Sequence, residues 1–125
     1  YIANENFKLL EQKQEKLKKI RNKYNNAFCI ENTSNHLYRI DVKNREKFIK
    51  TMKEKNITTG IHYKPAHKIE VYKNISKNNK NLLKTERKGE TTVSIPFHEC
   101  LTEKEIDIVI NACFNTGLII KEQKW

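Results

Sequence analysis

Glycine, proline, cysteine and arginine are all scarce in this chain, and each scarcity narrows what it does. Three glycines and two prolines in 125 residues leave no glycine-rich phosphate cradle. The three cysteines, Cys29, Cys100 and Cys113, are isolated and odd in number. No Cys-x-x-Cys occurs, so neither a zinc knuckle nor a redox pair is signalled. His98 and Cys100 have no second ligand pair at matching spacing; Cys113 is expected in the core. Free thiols fit a reducing cytosol. No apolar run approaches the length of a membrane span, and no signal-peptide pattern opens the chain. The expectation is a cytoplasmic protein that does not enter a membrane.

Arginine is the informative shortage. The formal charge is +10, from 25 basic and 15 acidic residues, a balance that suits nucleic acid or an acidic surface. Yet only Arg21, Arg39, Arg45 and Arg87 are arginines. Nucleic-acid readers add guanidinium forks and stacking aromatics, and neither clusters here. The lysine excess reads as a solvated surface and argues against a nucleic-acid partner. The length suits one domain, large enough for a core without metal or disulfide staples. An opening on Tyr1 rather than methionine is expected of a fragment.

What is present is ordered. Over residues 3–28, Leu10, Leu17, Ile20, Tyr24 and Phe28 line one stripe of a long amphipathic helix. Residues 32–35 form a turn cluster, and 36–42 alternate as a strand. Asn44 is placed to cap a helix whose buried stripe is Phe48, Ile49 and Met52 and whose stop is Asn56. Residues 58–63 read as a second strand, in the same sheet as the first. Residues 79–88 suit a brief helix through Leu82 and Leu83, and 90–95 a third strand stopped by Pro96. Thr102 and Glu105 spell a capping box, with Leu101 and Ile106 as its hydrophobic staple. Ile106, Val109, Ile110 and Cys113 then face the core, and Gly117 is placed to end the helix. Residues 118–125 carry no readable signal. The chain divides into a linking helix (1–28), a small α/β domain (29–117) and a tail (118–125).

The segment Gly60-Ile61-His62-Tyr63-Lys64-Pro65-Ala66-His67 concentrates the chemistry. Lys64-Pro65 stops the strand, because proline lacks the ladder donor and holds its predecessor extended. Imidazole, phenol and ammonium groups at a strand end are a common way to build a site. Two histidines five apart are equally compatible with a solvated loop, and Tyr63 with the edge of a core.

This segment resembles the G-x-H-Y-x-P-x-H motif of the DegT/DnrJ/StrS family of PLP-dependent nucleotide-sugar aminotransferases. Four further blocks follow the family's order: RNKYNNAF at 21–28, HLYRIDV at 36–42, the helix at 45–57, and SIPFHECLTEKE at 94–105. Together the blocks span most of residues 10–115. The resemblance implies the C-terminal small α+β domain of the fold-type I, aspartate-aminotransferase-like architecture: a short sheet with helices packed on one face and a long linking helix. It implies that His62, Tyr63 and His67 contact a nucleotide-sugar and that Lys64 meets a phosphate. Ala66 and Lys68-Ile69-Glu70 depart from the family's usual residues there.

The resemblance further implies that PLP is bound by a missing large domain carrying the lysine that bonds the cofactor. None of the 21 lysines here lies in that motif. The fragment is therefore expected to be inactive alone, with no catalytic, cofactor-binding or metal-binding residue of its own. An amino-acid donor and a homodimer are the implied partners; a sugar-dehydratase variant of the family stays open. The alternative is a stand-alone basic module for nucleic acid or an acidic partner, with residues 3–28 as its arm.

Overall fold

The computed structural model describes residues 2–73 and 82–120. Helix α1 (Ile2–Phe28) is the long amphipathic helix. Leu17, Ile20, Tyr24 and Phe28 are buried at its far end, whereas Phe7, Leu9 and Leu10 are exposed. The apolar stripe is thus covered only over its second half. Cys29 ends the helix with a positive φ of 54°.

Strands β1 (Tyr38–Asp41) and β2 (Thr92–Ile95) pair antiparallel, Tyr38 opposite Ile95 and Asp41 opposite Thr92. Single bridges extend this ladder on both sides, Val42 to Ile119 and Gly60 to Ser94. The expected second strand over 58–63 is therefore reduced to one bridge at Gly60, because the chain turns inward after it. The His62 imidazole folds back beneath Gly60, so close that a Cβ there would sit 2.4 Å from His62 Cε1. Gly60 lies in the same sheet as β1, as expected, but on the far side of β2. On the opposite edge Ile120 N–H donates to Asp41 O at 3.0 Å, so backbone pairing reaches into a segment without a sequence signal.

Helix α2 (Arg45–Glu54) starts where its cap predicts: Asn44 Oδ1 accepts from Lys47 N–H at 3.0 Å. Asn56, with φ 58°, supplies the left-handed turn that asparagine tolerates better than most residues. A 3-10 turn (Ala66–Lys68) and the short α3 (Glu70–Lys73) follow. Helix α4 (Leu83–Thr91) then runs straight into β2. The expected third strand is thus two residues shorter, since Glu90 and Thr91 remain helical. Thr91 Oγ1 donates back to Arg87 O at 3.0 Å, a local bond that holds the last turn. Part of the expected helix over 79–88 lies outside the described residues, as do residues 121–125. Val71 and Tyr72 are exposed.

Helix α5 (Glu103–Asn115) has the full capping box: Glu105 N–H donates to Thr102 Oγ1 at 3.3 Å, and Thr102 N–H to Glu105 Oε2 at 2.8 Å. Gly117 adopts φ 65°. Lys23 on α1 pairs with Glu103 and Asp107 on α5, both at 2.7 Å. Beneath these pairs Tyr24, Phe28, Tyr38, Phe48, Met52, Val93, Ile106 and Cys113 form one buried cluster.

The sheet has two chemically distinct faces because side chains alternate. Tyr38, Ile40, Val93 and Ile95 point into the core shared with α1, α2 and α5. Arg39, Asp41, Thr92 and Ser94 point the other way. The loop after Gly60 and helix α4 lie over that polar face, and the candidate site is there.

Candidate functional site

Three contacts fix the loop. At its start, His62 Nδ1 and Ser94 Oγ lie 2.9 Å apart, tying the imidazole to the polar face of β2. In its middle, Pro65 packs on Gly89 of α4, where a Cβ would meet Pro65 Cγ at 2.4 Å. At its end, His67 Nε2 lies 3.1 Å from Glu86 Oε1. Lys68 adds ion pairs to Glu86 (3.2 Å) and Glu90 (3.4 Å). The carboxyl of Glu86 is held below its ordinary value, first by Lys68 and then by His67.

The Pro65–Gly89 contact separates two hollows. The larger, about 800 Å³, is lined by His62 and Tyr63 from the loop, Arg39 and Asp41 from β1, and Lys84, Arg87 and Lys88 from α4. The smaller, about 230 Å³, is lined by Lys64, Lys68, Arg45, Glu86 and Glu90. Arg45 also donates to the carbonyl of Gly89.

The four residues singled out by sequence therefore part company. His62 and Tyr63 meet at the larger hollow, their rings edge to face with centroids 5.1 Å apart. Tyr63 is 71% exposed at its rim. Lys64 lines the smaller hollow. The imidazole of His67 turns to α4 and meets Glu86, its side chain only 15% exposed.

Sequence reading missed Arg39, Asp41, Lys84, Arg87 and Lys88. A signal was available for each group. Arg39 and Asp41 stand at alternate positions to Tyr38 and Ile40 and so share the other face. Lys84, Arg87 and Lys88 are spaced three and four apart, one face of a helix. Among the described residues Asp41 is the sole carboxylate lining the larger hollow, and it is 5% exposed. Its oxygens accept from Lys88 Nζ, from Thr91 Oγ1 at 3.2 Å and from Thr92 Oγ1 at 2.9 Å.

A pyridoxal cofactor needs a lysine amine, a carboxylate for its ring nitrogen and a cradle for its phosphate. The residues here do not fit that set. Asp41 is saturated by its own neighbours, and Lys88 is engaged in saturating it. Among the described residues, none in this hollow is arranged to carry the cofactor's chemistry; its groups are suited to holding a polar or anionic ligand.

Comparison with known proteins places this arrangement. The chain is similar to a DegT/DnrJ/EryC1/StrS aminotransferase from Brucella abortus: 24% identity over 89% of this chain and 33% of that one, TM-score 0.78. It is similar to PseC from Helicobacter pylori, an aminotransferase of pseudoaminic acid biosynthesis, at 19% identity over 88% and 34%, TM-score 0.74. Spr1654 from Streptococcus pneumoniae, solved in apo, PMP and PLP forms, matches at 21% identity in its apo form over 88% and 32%, TM-score 0.77. The chain spans about a third of the length of these structures. No curated protein matches the sequence. The fold is that of a small α+β domain of the fold-type I aminotransferases, as the sequence resemblance implied. The family model for DegT/DnrJ/EryC1/StrS aminotransferases matches residues 2–114, nearly the whole chain, and the chain belongs to that family.

Proposed function

We propose that the chain is the C-terminal part of a PLP-dependent aminotransferase that aminates a keto nucleotide-sugar with an amino-acid donor. On this reading residues 1–28 link it to a larger cofactor-bearing domain, residues 29–117 form the small domain and 118–125 the tail. The fragment supplies one wall of the substrate site and contacts in a homodimer, and is inactive alone. The parent enzyme is cytoplasmic; among the described residues no helix is long and apolar enough to cross a membrane. PLP is held outside this chain, consistent with the poor fit of the Asp41 and Lys88 environment to it.

One observation carries the reading. The loop with the family's histidine-tyrosine pair is fastened over the polar face of the sheet, beside a hollow of about 800 Å³, a size suited to a small organic ligand. His62, braced by Ser94, and Tyr63, at the rim, offer the ligand a ring nitrogen, a hydroxyl and an aromatic face.

The test is amino transfer by the parent enzyme. It is expected to be yellow with PLP, to lose that colour on borohydride reduction, and to turn over a keto nucleotide-sugar. Tyr63→Ala is expected to raise KM for the sugar with little change for the amino donor. The 125-residue chain alone is expected to show no transfer. A colourless parent, or unchanged sugar kinetics for Tyr63→Ala, would count against the reading.

A further inference from the structure

We propose that the larger hollow is an anion site whose grip on a diphosphate comes from Arg87 and Lys84 of α4, rather than from Lys64 of the loop. The ligand class, a nucleoside diphosphate bearing the sugar, rests on the function proposed above; the site itself rests on charge and geometry.

The two hollows differ in electrostatic balance. The smaller has Arg45, Lys64 and Lys68 against Glu86 and Glu90. Lys68 is paired with both acids, and Arg45 is taken by the Gly89 carbonyl. Among the described residues, the larger has Arg39, Lys84, Arg87 and Lys88 against Asp41. Asp41 is buried and satisfied by Lys88, Thr91 and Thr92, so it has little capacity left to neutralise the others. The field of the larger hollow is therefore positive, and clefts lined by one sign of charge concentrate ligands of the other.

Within that hollow Lys84 and Arg87 differ from Lys88. Their side chains are exposed and have no partner among the described residues, and they stand three apart, one turn of α4. A guanidinium presents a fork that matches two phosphate oxygens at once, whereas an ammonium acts as a point charge. Arg87 is thus the stronger contact and Lys84 the weaker. Thr85, also lining the hollow, adds a hydroxyl donor. The exposed Tyr63 ring at the rim offers a face for a base to stack on.

Titration of the 125-residue chain with inorganic pyrophosphate at low salt, followed by NMR, tests the site. Arg87→Gln is expected to weaken binding roughly tenfold and Lys84→Gln roughly threefold, in the range of losing one charge-assisted contact. Lys64→Gln, which removes the same formal charge from an exposed loop position, is expected to change affinity less than about twofold. Equal losses in all three variants would mean a net-charge effect and overturn the proposal. So would absence of pyrophosphate binding, or a single-stranded oligonucleotide that binds with equal loss in all three.

The parent enzyme separates this from the functional reading. If Arg87→Gln weakens pyrophosphate binding as expected while the parent transfers no amino group to a keto nucleotide-sugar, the enzyme reading falls and the anion site stands. If the parent is active and its KM for the nucleotide-sugar is unmoved by Arg87→Gln, the anion site falls and the enzyme reading stands.

Discussion

Gly89 on α4 and Pro65 in the loop approach so closely that a Cβ at position 89 would lie 2.4 Å from Pro65 Cγ and 2.6 Å from Cδ. This contact forms the ridge between the two hollows and sets the distance of α4 from the loop. Glycine is costly inside a helix, by about 1 kcal/mol relative to alanine. It is required at this position because any side chain would push the loop off the helix.

Gly89→Ala sets those two effects against each other. Overpacking costs about 1–3 kcal/mol, more than the helix-propensity gain, so the variant is expected to be destabilised in urea unfolding. Pro65→Ala in the same chain is expected to recover much of the loss. A Gly89→Ala protein more stable than wild type would show that the contact is not tight.

Acid is expected to loosen the loop before it unfolds the domain. Glu86 has its folded pKa depressed below the ordinary 4.5 by Lys68 and His67. Its contribution is therefore complete above that value and lost as pH falls through the depressed folded value. The NMR shift of the Gly89 amide is expected to show an acid step as pH falls through the depressed Glu86 value. Glu86→Gln is expected to remove that acid-dependent step.

The thiols should divide two to one. Cys29 and Cys100 are exposed and Cys113 is fully buried, its thiol pushed up to about 12 by burial. The thiolate is the reactive form, so a thiol reagent at pH 8 is expected to modify two cysteines quickly. The third should react only on unfolding. Rapid modification of all three would contradict the packing of α5.

Tyr24 anchors α1. Its ring is fully buried, and its hydroxyl donates to Pro96 O at 3.0 Å. Tyr24→Phe is expected to cost about 1 kcal/mol for the lost hydrogen bond, and Tyr24→Ala about 3–5 kcal/mol. Burial also raises the phenol's pKa, so its ionisation should appear only on alkaline unfolding, as read by ultraviolet difference absorbance.

Thr102→Ala tests the cap of α5. Loss of the side-chain acceptor for Glu105 N–H is expected to cost about 1 kcal/mol in thermal or urea unfolding. Thr102→Ser is expected to restore most of it.

Local signals carried much of this fold. The Leu17–Phe28 stripe, Asn44, Asn56, the Thr102–Glu105 box and Gly117 all act where their chemistry placed them. They are legible because each depends on residues within one or two helical turns. The expected strand over 58–63 shrank because its β-branched and aromatic composition says nothing about His62 turning under Gly60 to meet Ser94, thirty-two residues away. The helical end of α4 was read as strand for a related reason: Thr91 and Thr92 suit either state, and Thr91 Oγ1 bonds back to the helix.

The amino-acid sequence alone determined the caps of α2 and α5, the apolar stripes, the motif that marks the family and the clustering of His62, Tyr63, Lys64 and His67 in one segment. Only the tertiary structure decided that His62 and Tyr63 line one hollow, Lys64 another and His67 neither, and that Arg39, Asp41, Lys84, Arg87 and Lys88 join His62 and Tyr63. The physical reason is range. Caps and stripes follow from hydrogen bonds and packing between near neighbours, whereas the hollow exists because α4 crosses the polar face of β1 some fifty residues from it, held by Asp41 and stopped by the contact of Gly89 with Pro65.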